Sequence, residues 1–324
     1  MKKNIKYLKP VMVDNKNLRK KYSVINKYFS SSLDESNWFP KINNVVKSKK
    51  IVDFIDCPVC GSRNKNTFFV YQGFVHSNCN NCSHIYISNP LKERILLNFY
   101  KSAKAYKLYM NVRQTGYLKN YNNLLYKKYY KIYKNFLFKN VKILEIGSGT
   151  GQFLKFLVSK GHKPFANEFI EVSKKIIPKI IGKKNFFFQT SNSNLPFKNY
   201  FNFIFLWGVL EHLRHPLQEM KIFNKMLKIS GKMFFLIPNL KSRAFEILGM
   251  KTPTISPKNH LNFFSHKSFA LLCKRSGFRV IDSNQELPII DLMYDFIDND
   301  KIELKKILEN DLSYYRTYLI EKVS

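Results

Sequence analysis

Two groups of residues have the types and spacing to do chemistry. Cys57-Pro58-Val59-Cys60-Gly61 and Cys79-Asn80-Asn81-Cys82 form two C-x-x-C pairs with eighteen residues between them, and they use four of the five cysteines in the chain. Each tight turn can bring two thiolates to one ion, and two turns complete a tetrahedral four-sulfur site, the pattern of a structural zinc ribbon. Disulfides are the competing use of these residues, but they belong to oxidising compartments. The basic N-terminus is followed by no apolar leader, so a cytoplasmic location is expected. A zinc ion with four protein ligands has no open position and would hold the module together without doing chemistry. His76 and His84 flank the second pair and are possible substitute ligands.

The second group is Val141 to Gly151, VKILEIGSGTG. A short apolar run with β-branched bias passes directly into Gly147, Gly149 and Gly151, then into a helix-period pattern over residues 152–160. Strand, glycine turn and helix make a nucleotide site, because the turn needs torsions that a Cβ forbids and main chain must approach the ligand closely. A second strand over residues 163–167 ends in Glu168, seventeen residues beyond Gly151. A carboxylate at that tip can accept both hydroxyl hydrogens of a ribose. A dinucleotide site of the G-x-G-x-x-G kind is excluded, since position 152 is Gln.

With Leu195-Pro196-Phe197, VLEHLRHP from Val209 to Pro216 and Ile237-Pro238-Asn239, the segment from residue 142 to 283 resembles the class I methyltransferases that use S-adenosylmethionine. The resemblance implies an α/β, Rossmann-like sheet with helices on both faces. It implies a cofactor held by Glu145, Gly147, Gly149, Gly151 and Glu168, with Ser191 and Trp207 beside it and Glu145 near the methionine part. The family usually carries an acid after the third strand for the adenine amino group. Residues 190–194 here read Thr-Ser-Asn-Ser-Asn, so Ser191 or Asn192 would have to serve as a neutral acceptor.

A fourth strand, Phe201 to Trp207, leads into Glu211 and His212, and an open α/β sheet places its chemistry at such strand ends. Methyl transfer requires an acceptor aligned for in-line attack and, for a hydroxyl or acidic carbon, removal of a proton. His212 with Glu211 fits that task, His260 is an alternative base, and a purely pocket-shaping role for His212 stays equally open. A zinc ribbon followed by this domain resembles bacterial methyltransferases acting on sugars of polysaccharides or secondary metabolites, in which a Glu-His pair at this position lies by the sugar. The acceptor so implied is a small molecule, an anionic nucleotide- or carrier-linked sugar. An RNA methyltransferase, or a noncatalytic zinc-dependent binding protein with a degenerate methyltransferase fold, are the alternatives.

These residues must be positioned by five segments. Residues 1–50 read as a basic arm, 51–90 as the zinc-ribbon module, and 91–138 as a helical lid with Tyr100, Tyr106 and Tyr109 as candidate covers. Residues 139–285 form the cofactor domain and 286–324 a helical extension, the expected seventh, antiparallel strand having no clear place. Leu118, Tyr121, Leu125, Tyr129, Ile132, Tyr133 and Phe136 recur at helical steps, which favours packing on the cofactor domain over an RNA-stacking platform. Helices are expected over residues 170–181, ended or kinked near Pro178, and from Pro216 to Ile229. Residues 239–264 read as a long irregular connection over the acceptor, where Arg243 and Lys258 could meet a phosphate. Cys273 reads as a small buried apolar residue.

The formal net charge is +33, but only nine of the 55 basic residues are Arg. Scattered Lys is a weak sign of a nucleic-acid face, although the field favours an anionic acceptor. The longest apolar run, Phe203 to Leu210, is far short of a bilayer span. Oligomeric state has no signature in the sequence.

Overall fold

The computed structural model describes residues 39–102, 116–252, 254–287 and 301–323. The expected arm up to residue 38, and Tyr106 and Tyr109 of the expected lid, lie outside the described residues.

Strands β1 (Lys65–Tyr71), β2 (Phe74–Cys79) and β3 (Ile85–Ile87) come first, followed by helices α1 (Glu93–Ser102) and α2 (Gly116–Ile132). The alternation of strand and helix then begins: β4 (Ile143–Ile146), α3 (Gln152–Ser159), β5 (Phe165–Asn167), α4 (Glu171–Ile181), β6 (Phe186–Phe187), β7 (Phe201–Trp207), α5 (Pro216–Met226) and β8 (Leu227–Pro238). The chain continues through α6 (Arg243–Leu248), β9 (Asn262–Phe263), α7 (His266–Arg275), β10 (Phe278–Glu286), α8 (Lys301–Glu309) and β11 (Tyr315–Lys322).

The large sheet has seven strands in the order β10-β11-β8-β7-β4-β5-β6. β4 pairs in parallel with both β5 and β7, β5 with β6, and β7 with β8. The order therefore reverses at β4, and the crevice of such a sheet opens at the carboxyl ends of the strands beside that switch point. Both faces are covered, which is why β4 and β7 read as nearly continuous apolar runs. Leu144, Ile146, Ile204 and Leu206 pack with Met220, Phe223, Phe269 and Leu272 of α5 and α7. Ile143, Phe203 and Phe205 point to the opposite face, against Tyr121, Leu125, Tyr129 and Tyr133 of the α2 region and Phe153 and Leu157 of α3. Tyr121, Leu125, Tyr129 and Tyr133 of the stripe before the glycine turn are thus core, as its period implied, whereas Phe136 is exposed. The Tyr129 hydroxyl donates to Glu286 Oε1 at 2.6 Å and the Tyr133 hydroxyl to Asp282 Oδ2 at 2.8 Å, tying this segment to β10.

The seventh strand is where the sequence reading needs correction. Residues 286–324 are not a helical extension, because after α8 the chain returns as β11, between β10 and β8 and antiparallel to both. Thr317 to Ile320 are all buried, so β11 lacks the alternation that would mark a strand with one wet face. α4 runs to Ile181 as expected and stops at Gly182, with Pro178 inside it and not ending it. α5 stops at Met226, and the Ser230-Gly231 turn interrupts β8 instead of preceding it, with Ser230 at φ 59°.

The four-cysteine segment is also not a separate unit. Its sheet has the order β1-β2-β3-β9, so a strand from beyond β8 completes it. Cys57, Val59, Cys79 and Cys82 belong to the same buried cluster as Leu272 and Phe264. The connection over residues 239–264 is accordingly ordered: it contains α6, whose Ser242 side chain caps Phe245 N, and β9.

Candidate active site

The glycine turn leaves β4 at the switch point. Gly147, Gly149 and Gly151 have φ of 70°, 54° and 73°, the left-handed region in which a Cβ is strained. At Gly151 a Cβ would also come within 2.7 Å of Ile177 and Ile180, so this glycine lets α4 pack against the turn. Glu168 follows β5 and is 3% exposed. Its Oε2 accepts from Gly149 N at 2.7 Å, and its Oε1 from Phe169 N at 2.8 Å. The sequence-predicted acid Glu168 and Gly149 therefore meet, and Glu145 is buried in β4.

Two buried polar atoms here lack hydrogen-bond partners among the described residues: Ser148 Oγ in the turn and Trp207 Nε1 at the end of β7. Buried polar groups are rarely left so, and a ligand with polar edges in the crevice would suit both. The Trp207 ring otherwise packs edge-on against Tyr126 and Phe153 at 4.9 and 5.2 Å.

After β6, Ser191 Oγ is engaged only with Ser193 Oγ at 2.7 Å. Asn192 is the buried residue of this stretch, and its Oδ1 accepts from Asn167 Nδ2 at 2.8 Å while its Nδ2 donates to Glu219 Oε2 at 2.8 Å. Burial pushes the Glu219 carboxyl above its ordinary value, with the Asn192 amide opposing. An acid thus stands behind the neutral residue, carried by α5 and out of reach of local sequence reading.

The chain after β7 forms a 3-10 segment over Leu210–His212, next to Val209, whose side chain lies against Gly147 of the glycine turn. His212 Nδ1 lies 2.8 Å from Asn259 O, and His260 Nδ1 lies 2.7 Å from Thr254 O. A carbonyl only accepts, so each ring donates from Nδ1, and in the neutral tautomer the Nε2 lone pair is the basic site. The two rings stand 4.7 Å apart at 63°, and ligand atoms of Glu211, His212 and His260 all lie within 4.8 Å of one another. All three residues singled out in the sequence are therefore together, although 47 positions separate Asn259 from His212. Arg243 pairs with Glu246 on α6 at 3.0 Å, and Lys258 is buried in the loop that carries Asn259 and His260.

The four cysteine thiols converge within 4.8 Å, with Cys57 to Cys82 and Cys60 to Cys79 Sγ distances of 3.5 Å and no disulfide. Burial pushes the Cys57 thiol up and Cys82 up to about 12, the direction that a bound cation would reverse. Neither histidine joins them. His76 stacks on Phe69 at 4.0 Å, and His84 places Nε2 3.1 Å from Asn262 Oδ1. Asn262 is the residue that sequence reading missed. Nothing local ties it to His84, 178 positions away.

An open, mostly parallel sheet of seven strands with helices on both faces is the class I methyltransferase fold. The family model described as a methyltransferase domain matches residues 117–283, more than half of the chain, and the chain belongs to that family of enzymes. Among solved structures, it is similar to the Burkholderia thailandensis 1,6-didemethyltoxoflavin-N1-methyltransferase bound to 1,6-didemethyltoxoflavin and S-adenosylhomocysteine. That likeness has 13% identity, covers 81% of this chain and 100% of that one, and has a TM-score of 0.49. Methyltransferases from Archaeoglobus fulgidus and Aquifex aeolicus, both described as SAM dependent, are each 18% identical to it. They cover 62% and 60% of this chain and 93% and 88% of their own, with TM-scores of 0.44 and 0.42. No curated protein matches the sequence significantly. Among the described residues no helix is long and apolar enough to cross a membrane.

Proposed function

We propose that the protein transfers a methyl group from S-adenosylmethionine to a hydroxyl or carbon of a small anionic acceptor, a nucleotide- or carrier-linked sugar. When bound, the cofactor supplies an electrophilic methyl on a sulfonium. Glu168 would take the ribose hydroxyls, the glycine turn with Ser148 would approach the cofactor through main chain and hydroxyl, and Glu145 and Trp207 would line the methionine side. Ser191 and Asn192 would border the adenine, with Asn192 oriented by Asn167 and Glu219.

The observation that carries the reading is the convergence of Glu211, His212 and His260 beside the strand end that faces the turn. His212 Nε2 would receive the acceptor proton, its ring fixed by the Nδ1 hydrogen bond to Asn259 O, while Glu211 and His260 stabilise the imidazolium. The four cysteines would hold one structural zinc ion. Tyr121, Tyr126 and Tyr129 of α2, which could have stacked bases, are buried in the core, so the stacking argument for an RNA acceptor falls away.

The test is transfer of labelled methyl from S-adenosylmethionine to a panel of nucleotide sugars and, in parallel, to unmodified RNA. Label entering a sugar in the wild type and not in His212→Ala supports the reading. Label entering RNA alone overturns the acceptor class.

A further inference from the structure

We infer that the four-cysteine module is the positioning element of the acceptor side, acting through Leu261 and Asn262, while the hydrogen bonds that hold the cofactor turn run within the β4-β5 unit. The role toward the acceptor rests on the reading above. The coupling itself rests on the hydrogen bonds that follow.

β3 begins three residues after the last cysteine, Cys82, and pairs with β9 through Ile85 and Phe263. One residue earlier, Leu261 uses both sides of its main chain: its carbonyl accepts from Ile87 N at 2.9 Å, and its N–H donates to Glu211 O at 2.8 Å. A single peptide segment thereby links β3 to the turn that carries Glu211 and His212. Asn262, 1% exposed, repeats the link with its side chain. Its Oδ1 meets His84 Nε2 at 3.1 Å, and its Nδ2 donates to Leu213 O at 2.7 Å. His260 immediately precedes this pair, and Asn259 O holds His212. Both imidazoles thus hang on a strand that the cysteine module completes.

The glycine turn is held differently. Gly147 N donates to Asn167 O at 2.9 Å and Gly149 N to Glu168, bonds that stay within the β4-β5 unit. The core of the ribbon, with Phe74, Ile85, Ile87 and Leu91, is shared with Leu240, Ile255, Leu261 and Phe263 of the segment that leads into β9, and a metal clip adds folding energy to such modules. Loss of the ion would release β3, then β9, then the acceptor-side turn, and leave the cofactor turn in place.

Hydrogen exchange of the full chain, zinc-replete and zinc-stripped, tests this, with S-adenosylhomocysteine titrated into both forms. Stripping is expected to speed exchange over residues 209–213 and 259–263 by about tenfold or more, to leave residues 146–151 protected, and to change S-adenosylhomocysteine affinity by less than about threefold. Added zinc should restore the protection. In zinc-replete protein, Asn262→Ala should raise exchange at residues 210–213 without moving the affinity. Unchanged exchange in the acceptor segments without zinc, or parallel loss of their protection and of S-adenosylhomocysteine binding, would overturn the coupling. If the zinc-replete protein binds no S-adenosylhomocysteine, that counts against the proposed function alone, and the exchange comparison still decides the coupling.

Discussion

On the cofactor side of the crevice, the strand, turn, helix and acid that matter lie between Ile143 and Glu168, and their hydrogen bonds run between neighbours in one βαβ unit. The acceptor side is assembled from residues 84–91, 209–215 and 254–264, joined by bonds such as His84 to Asn262 and His212 to Asn259. The first is a local solution, with torsions and packing set by three glycines. The second depends on two sheets meeting, with Arg214 donating to Leu91 O at 2.6 Å as a further tie between them. Cofactor binding and acceptor chemistry should therefore be separable by mutation, although their residues share one crevice.

The largest expected effect is on the acceptor side. His212→Ala should lower methyl transfer by about a thousandfold, as loss of a general base does. Its affinity for S-adenosylhomocysteine should stay within about threefold of wild type, since its binding energy belongs to the other wall. Equal loss of both would show that the two walls are one unit. Glu168→Ala is the reciprocal case. Removing a buried carboxylate that receives charged hydrogen bonds should weaken S-adenosylhomocysteine by about a hundredfold.

How much of this could be read from the chain follows the same division. EIGSGTG, Glu168 and the two C-x-x-C pairs are short in sequence, so spacing alone indicates which atoms can meet. The fourth strand was legible because Phe203 to Trp207 is a continuous apolar run that ends at Gly208. β11 was not, since a central strand buried over four successive residues has no alternation to report. Glu211 and His212 were legible as candidates from their place after a strand, but their partners were not. Nothing in residues 254–264 announces that Leu261 and Asn262 will join the cysteine sheet, because strand pairing between distant segments depends on register and packing. Asn192 and Glu219 repeat the point: the expected acid is missing locally, and one arrives from a helix.

Two further expectations concern stability on each side. Gly151→Ala places a Cβ 2.7 Å from Ile177 and Ile180 at φ 73° and should cost about 3 kcal/mol, read by denaturant unfolding. A loss below about 0.5 kcal/mol would mean that α4 can retreat at no cost.

In the cysteine module, burial holds the His76 ring at about 3, down from its ordinary 6.5, against a backbone hydrogen bond with Phe74 that acts in the opposite direction. The unfolded chain binds this proton more readily, so the contribution of His76 is intact above pH 6.5 and is lost as pH falls toward 3. At about pH 5 it amounts to roughly 2 kcal/mol, and His76→Leu should flatten the decline of stability from about pH 7.5 to 5 by that amount. An unchanged slope would place the acid sensitivity elsewhere.

The most direct measurement is calorimetric titration of S-adenosylhomocysteine into zinc-replete wild type, Glu168→Ala and His212→Ala. Saturable binding by the wild type, lost in Glu168→Ala and retained in His212→Ala, is the expected result. Absence of binding by the wild type, or retention of full affinity by Glu168→Ala, would contradict the assignment of the glycine turn and Glu168 as the cofactor site.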